Sequence, residues 1–467
     1  MLATPLKELL DQAPDGLPEA FAVVDGFDDA LVHGLARLGE ERAAALSALA
    51  GAVAATPLGE RAADAAAKAA AGSVTDDDLA VLAGARAALL GAAHDALLDS
   101  LDTALGRTRA PLEPAVTAAP AAADPFAGAR SWLRELAIAG WRGVDHDLVA
   151  AAGQTIEALL DEPRLRRQAA LLDGLAAELR ACCPVAAMPR PPVRRWADLW
   201  TRALLLARPG AAPGIGEDVP SVSGRLFVLG VDVHEHATAV QVQAHGVLEP
   251  AGGEPPRLVR TSVAAAKVDT IVGPALWRLF GGYPVLLGAL AGRHALEVTG
   301  LPLLASGDLI WHDDRAVAGE PFDPFAVARV RLAGALAPAV PALDRHPVRI
   351  AEPVLAEDYT IERGQRPALR LGEARLEFDL DRLPSCGPLT PELVAASTAC
   401  IGLVRWDAGR WLLQPLAVAA TVKRKPVVAH GGEWATGPTD PKVVKAEARS
   451  GDAVAVLRER AGRLLRR

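Results

Sequence analysis

The chain has 467 residues and a net charge of -8, and half of it is apolar, mostly as Ala, Val and Leu with only 4% aromatic residues and two Met. This length suits roughly two to four ordinary domains, and the acidic balance excludes a global field drawing the protein to nucleic acid or anionic lipid. Pro5 and the Lys7-Glu8 pair interrupt the stretch a secretion signal would need, and no uncharged run reaches the ~20 residues of a membrane span, so a cytoplasmic protein without a membrane partner is expected.

In chain order, Asp28 opens a helical pattern in which Leu31, Leu35, Leu38, Leu46, Leu49 and Val53 form one stripe, ending near Thr56-Pro57. An Ala-rich piece follows over 58 to 71. Thr75 before Asp76, Asp77 and Asp78 is a strong helix start, a hydroxyl cap followed by carboxylates at the positive end of the dipole, and the Leu periodicity carries that helix to about Arg107. Pro111, Pro114 and Pro120 make 109 to 124 a Pro/Ala linker. Helices are expected over 125 to 140, 146 to 161 and 163 to 181, followed by a Pro-rich break at 184 to 192. A helix over 195 to 207 then places Trp196, Trp200 and Leu204 one turn apart, as docking anchors.

The Gly/Pro-rich stretch 208 to 220 divides the chain into an α-helical region, 1–208, and a β-rich α+β region, 221–467. Residues 225 to 233 read as a buried strand. Val240, Val242 and Ala244 alternate with Gln241, Gln243 and His245 as a half-exposed strand, and 257 to 268 gives a third. This mostly antiparallel meander precedes a short helix at 270 to 280, an order shared by OB-like barrels and many other folds. Further strands are expected at 348–354, 368–378, 401–406 and 411–423, helices near 284–293, 324–336 and 391–399, and a closing helix at 452–466.

Four constellations could carry chemistry. Asp232-Val233-His234-Glu235-His236, with His245 across the hairpin, offers imidazole and carboxylate ligands of the kind Zn or Fe(II) uses, and a His-x-His strand puts two rings on one face. Thr238 stands where His-Glu-x-x-His would need its second His, and a polar hairpin turn explains the same residues. Ser306-Gly307-Asp308 and Trp311-His312-Asp313-Asp314 nominally supply a Ser/His/Asp set, yet triads assemble in space from separated segments, so a polar turn is the simpler reading. Gly214-Ile215-Gly216 lacks a preceding strand and has Val219 in place of a third Gly, so no dinucleotide fingerprint exists. Lys423-Arg424-Lys425-Pro426, with Trp411, His430 and Trp434, mixes cations and rings as a single-strand binder does, although a solvated strand end with a Pro stop also accounts for it. Cys182, Cys183, Cys386 and Cys400 contain no CxxC and are read as small apolar packers.

The segments Arg194-Arg195-Trp196-Ala197-Asp198-Leu199-Trp200 and Gly409-Arg410-Trp411-Leu412-Leu413-Gln414-Pro415-Leu416 resemble stretches of uncharacterised actinobacterial proteins encoded beside a MoxR-type AAA+ ATPase, a von Willebrand A-type protein and a SWIM zinc-finger protein. The resemblance implies a setting, an ATPase-linked complex, and transfers no functional residue. The chain lacks the paired Cys/His spacing of the SWIM finger. The expectation is therefore a non-catalytic interaction or scaffold component with a protein partner, without cofactor, metal ligand or assigned catalytic residue. Metal-dependent hydrolysis at Asp232, His234 and His236 and single-stranded nucleic-acid binding at Lys423 to Lys425 stand as alternatives.

Overall fold

The computed structural model describes residues 6–450 except 8, 11–12, 113–123, 163–164, 209–218, 347, 365 and 408, together with 454–456 and 459. Most of the Pro/Ala linker and of the stretch 208 to 220, all of Gly214-Ile215-Gly216 and most of the closing helix at 452–466 lie outside the described residues.

The N-terminal region is helical: α1 (Leu17–His33), α2 (Glu40–Ala52), α3 (Gly59–Ala70), α4 (Asp76–Leu105), α5 (Ala127–Ala139), α6 (His146–Ala150), α7 (Gly153–Asp161), α8 (Arg166–Cys182) and α9 (Val193–Leu206). The helix expected from Asp28 to Thr56 is two helices. The first starts eleven residues earlier, with Pro18 in its first turn, and ends at Gly34, whose φ of 85° favours glycine. Gly34 also packs against the end of α5, where a Cβ would lie 2.5 Å from the Ile138 carbonyl oxygen, so the break is fixed by a close backbone approach. The Thr75 cap is present as a reciprocal box with Asp78.

The 30-residue α4 is the central member, packed by α1, α2, α3, α5 and α9. It is long and apolar enough to cross a membrane by length and composition, and its burial within the protein accounts for that composition. Arg86 at its middle is fully buried and donates to both oxygens of Asp28 in α1 (Nε–Oδ1 2.6 Å, Nη2–Oδ2 2.9 Å), while Nη1 lies 2.8 Å from Asp198 Oδ1 in α9. Burial works against the guanidinium charge, but the bonds and charges of Asp28 and Asp198 outweigh it and raise its pKa. The α9 helix docks inside the bundle: Trp196 and Trp200 are buried, Trp200 Nε1 donates to the Leu133 carbonyl at 2.9 Å, and Trp141 stacks edge-on against Trp196 at 6.0 Å.

The C-terminal region holds two sheets. The first contains β1 (Ser221–Glu235), β2 (Ala239–Pro250), β3 (Arg257–Ala266), β4 (His294–Pro302), β5 (Asp308–Leu309) and β6 (Ala316–Pro321) in the order β5-β3-β2-β1-β4-β6, antiparallel except for β3–β5. The second contains β7 (Ile350–Glu357), β8 (Thr360–Glu362), β9 (Ala368–Leu371), β10 (Ala374–Phe378), β11 (Ser397–Asp407), β12 (Arg410–Val422) and β13 (Lys425–His430) in the order β7-β11-β12-β10-β9-β8, with β13 also on β12 and β10–β12 parallel. The sheets stack face to face, Leu229, Val247, Ile401 and Ala417 filling part of the space between them. Gly230 permits the closest approach, since a Cβ there would lie 2.5 Å from Leu416 Cβ. The stretch expected to be helical at 270 to 280 is a 3-10 segment, Gly273–Phe280, which covers the outer face of the first sheet with α10 (Pro284–Gly292).

The helical and β-rich regions share a wall. Ala93, Leu97, Leu98 and Leu101 of α4 pack in one core with Ile350, Val354, Trp406 and Trp411 of the second sheet. Beyond α4 the Ala110 N–H donates to the Ala337 carbonyl (2.8 Å), and Ala337 N–H donates to Thr108 (2.9 Å), placing 108–110 as a strand-like margin of the β-rich region. Arg107 adds bonds to Glu352 (2.9 Å) and to the Pro353 carbonyl (2.7 Å).

Removing Arg86 leaves two buried carboxylates facing each other. The expected cost of Arg86→Ala in urea unfolding is ~3–5 kcal/mol, and Trp200→Ala, which empties a core site, should cost a similar ~3–5 kcal/mol. A loss below about 1 kcal/mol in both would show that neither anchor holds the bundle.

Candidate functional site

Past a bulge at Leu229, β1 alternates: Val231 enters the outer core, whereas Gly230, Asp232 and His234 face the second sheet. On that face Asp232 is buried, its Oδ2 3.0 Å from His234 Nε2 and 3.6 Å from Arg405 Nη1. Its Oδ1 accepts from Gln414 Nε2 at 2.7 Å, and Arg405 Nη1 donates to Gln414 Oε1 at 2.9 Å. Burial opposes the Asp232 charge, but the His234 bond and charge, the Gln414 bond and the Arg405 charge outweigh it and hold the carboxyl at about 2. A carboxylate from one sheet is thus clamped by an amide and a guanidinium from the other.

The neighbouring cross-strand row carries His245, Arg260 and Asp308 on β2, β3 and β5. Arg260 forks onto Asp308 (2.6 and 3.0 Å), which also accepts from Ser306 Oγ at 2.6 Å. His245, read in the sequence as part of a half-exposed face, is buried because the second sheet covers that face. Its Nε2 lacks a hydrogen-bond partner among the described residues, and burial pushes its pKa down to about 4. Beside it lies a cavity of about 40 Å³, bordered by Arg260, Ser306, Pro338 and Glu352, a volume that suits one or two waters.

The structure therefore joins two clusters that the sequence kept apart, with a different pairing from the expected ones. Asp232 and His234 meet. His236 is exposed at the hairpin, where its backbone N–H donates to Ala239, and Glu235 pairs with Lys267 at 2.7 Å. Among the described residues no group of three or more His, Cys, Asp or Glu side chains is gathered as a metal would need. Ser306 is bound to Asp308, His312 is exposed, and Asp313 caps α10 by accepting from the Val285 and Leu286 N–H groups at 3.0 and 3.1 Å. All four cysteines are free, with Cys386 and Cys400 buried and Cys386 pushed up to about 12 by burial.

The basic cluster departs from its sequence reading. Lys423 and Arg424 form a two-residue turn, and Pro426 is the second residue of a new edge strand rather than the end of one, pairing with Thr421. Trp411, His430 and Trp434 are buried and unavailable for stacking on bases. Gln414, Arg405 and Arg260 are the residues that sequence reasoning missed. Asp232 and Gln414 are 182 positions apart, and only a charged or amide residue at an inward strand position could have signalled them.

A larger groove of about 690 Å³ runs along the margin of the first sheet between Leu112, Val222, Leu304 and Pro338. Its walls are mainly Leu, Pro, Ala and Val, and its two charged residues, Glu254 and Arg257, bind each other. No family model, no curated protein and no solved structure matches this chain.

Three imidazoles, His245, His346 and His430, are buried and held down to about 4 by desolvation. A lowered folded-state value means that their stabilisation is complete above the ordinary 6.5 and drains as pH falls from there towards 4. Urea unfolding at pH 5 rather than 7.5 should show a loss of up to about 2 kcal/mol per ring. His245→Gln should flatten this slope, and a stability independent of pH over the interval would contradict the buried, neutral assignment. Asp232, held at about 2, loses its contribution only below that window.

Proposed function

We propose that the chain is a non-catalytic interaction or scaffold component of a cytoplasmic complex, with a MoxR-type AAA+ ATPase as the partner suggested by the resemblance of 194–200 and 409–416. The observation that supports this reading is how the chemistry-bearing residues are used. The Asp232 carboxylate, the Ser306 hydroxyl, Asp308 and Asp313 are each bound within the chain, joining sheet to sheet, strand to strand or loop to helix. Groups committed in this way position structure, and a frame held by such internal bonds suits a component that works through its surface.

The competing reading, a metal-dependent hydrolase, draws on one contact: the Asp232–His234 pair at 3.0 Å, with the imidazole about one-third exposed. A carboxylate behind a His ring orients it as in metal sites, and Asp232, His234 and His236 would be its residues.

Affinity purification of the full chain from its host should recover the ATPase in a fixed ratio, while the purified protein should carry well under one equivalent of Zn or Fe. His234→Ala with His236→Ala should leave that recovery unchanged. One equivalent of metal, lost in the double variant, would replace this reading with the hydrolase, and the absence of any reproducible partner would remove it.

A further inference from the structure

The tip of the β12–β13 hairpin is built against local backbone preference. Lys423 and Arg424 both lie in the left-handed region, at φ 50° and 66°, in a two-residue turn for which Asn-Gly or Gly-Gly is the unstrained choice. The hairpin also projects. Strand β11 last pairs with β12 at Ala420, so Thr421 and Val422 are held only by Pro426 and Lys425 of β13, and residues 421–426 are all exposed.

Three consecutive cations therefore stand at the end of a projecting ribbon. No Asp or Glu occurs between Asp407 and Glu433, and Lys423, Arg424 and Lys425 make no ion pair among the described residues. Two exposed arginines of this region do pair, Arg375 with Glu362 and Glu377, and Arg329 with Glu357. Unpaired charge held at a strained turn points to an external counter-charge.

We infer that this hairpin is a docking finger for a carboxylate-rich segment of a protein partner. The inference deepens the interaction reading above by naming the surface and the partner's chemistry. A protein segment is favoured over a nucleic acid because the aromatic residues near it in sequence, Trp411 and Trp434, are buried and neither offers a platform for base stacking. Val422, 38% exposed beside the cations, adds an apolar contact suited to a polypeptide.

The test uses the full chain and a fluorescein-labelled oligoglutamate peptide, followed by anisotropy at low and moderate salt, with an oligothymidylate of the same charge in parallel. Lys423→Asn with Arg424→Gly removes two charges and installs the preferred turn, so it should melt no lower than the parent. Peptide binding by the parent should weaken with salt and fall about tenfold or more in this variant. Absent binding, or equal binding by parent and variant, would overturn the proposal. Variant-sensitive binding that is tighter for the oligothymidylate would overturn it in favour of nucleic acid. If the host ATPase is recovered equally by parent and variant, the finger fails while the complex stands. Loss of the peptide site in the variant, together with no partner recovered by the parent, would support the finger and remove the assigned complex.

Discussion

The buried Arg86 fork onto Asp28, with Asp198 on its far side, is the constraint around which the helical region is arranged. It fixes the rotation of three helices at once, because the guanidinium plane admits its carboxylates only at set angles. The surrounding Ala-rich surfaces pack closely but give little orientation of their own, being small and nearly featureless. A salt bridge of this kind is weak grounds for stability in itself; its value lies in making other registers costly, since any slip strands a charge in the interior.

The seam between the sheets follows the same logic on another scale. At one end small aliphatic side chains fill it, and Gly230 brings the sheets into contact; at the other, Asp232, Gln414 and Arg405 form a short polar chain across it. An apolar seam alone would tolerate sliding. The polar end sets the offset between sheets, and it does so with residues that, met singly in a sequence, look like catalytic equipment.

Much of the architecture was legible because it rests on local chemistry. The Thr75 box, the stripe of α4, the Trp-bearing α9 and the change to period two after residue 220 all depend on residues within a few positions of one another. What escaped depended on distant partners. Asp28 was read as the opening of the leucine stripe that follows it, and nothing nearby announces Arg86. His245 sat on an alternating strand whose polar face should meet water, and only the second sheet, more than a hundred residues away, buries it. The edge strand β13 was hidden by Pro426, which reads as a terminator unless its free edge is known. For the candidate site, the residue types were visible and their pairing was not: Asp232 and His234 do meet, whereas His236, Ser306 and His312 take separate roles.

The α4 helix carries one further implication. Its N-terminal half is a pillar of the bundle and its C-terminal half a wall of the second sheet. The change from helices to sheets near residues 208 to 220 is therefore bridged by a core that both regions share. Severed there, each fragment would present to water an apolar face that only the other can cover.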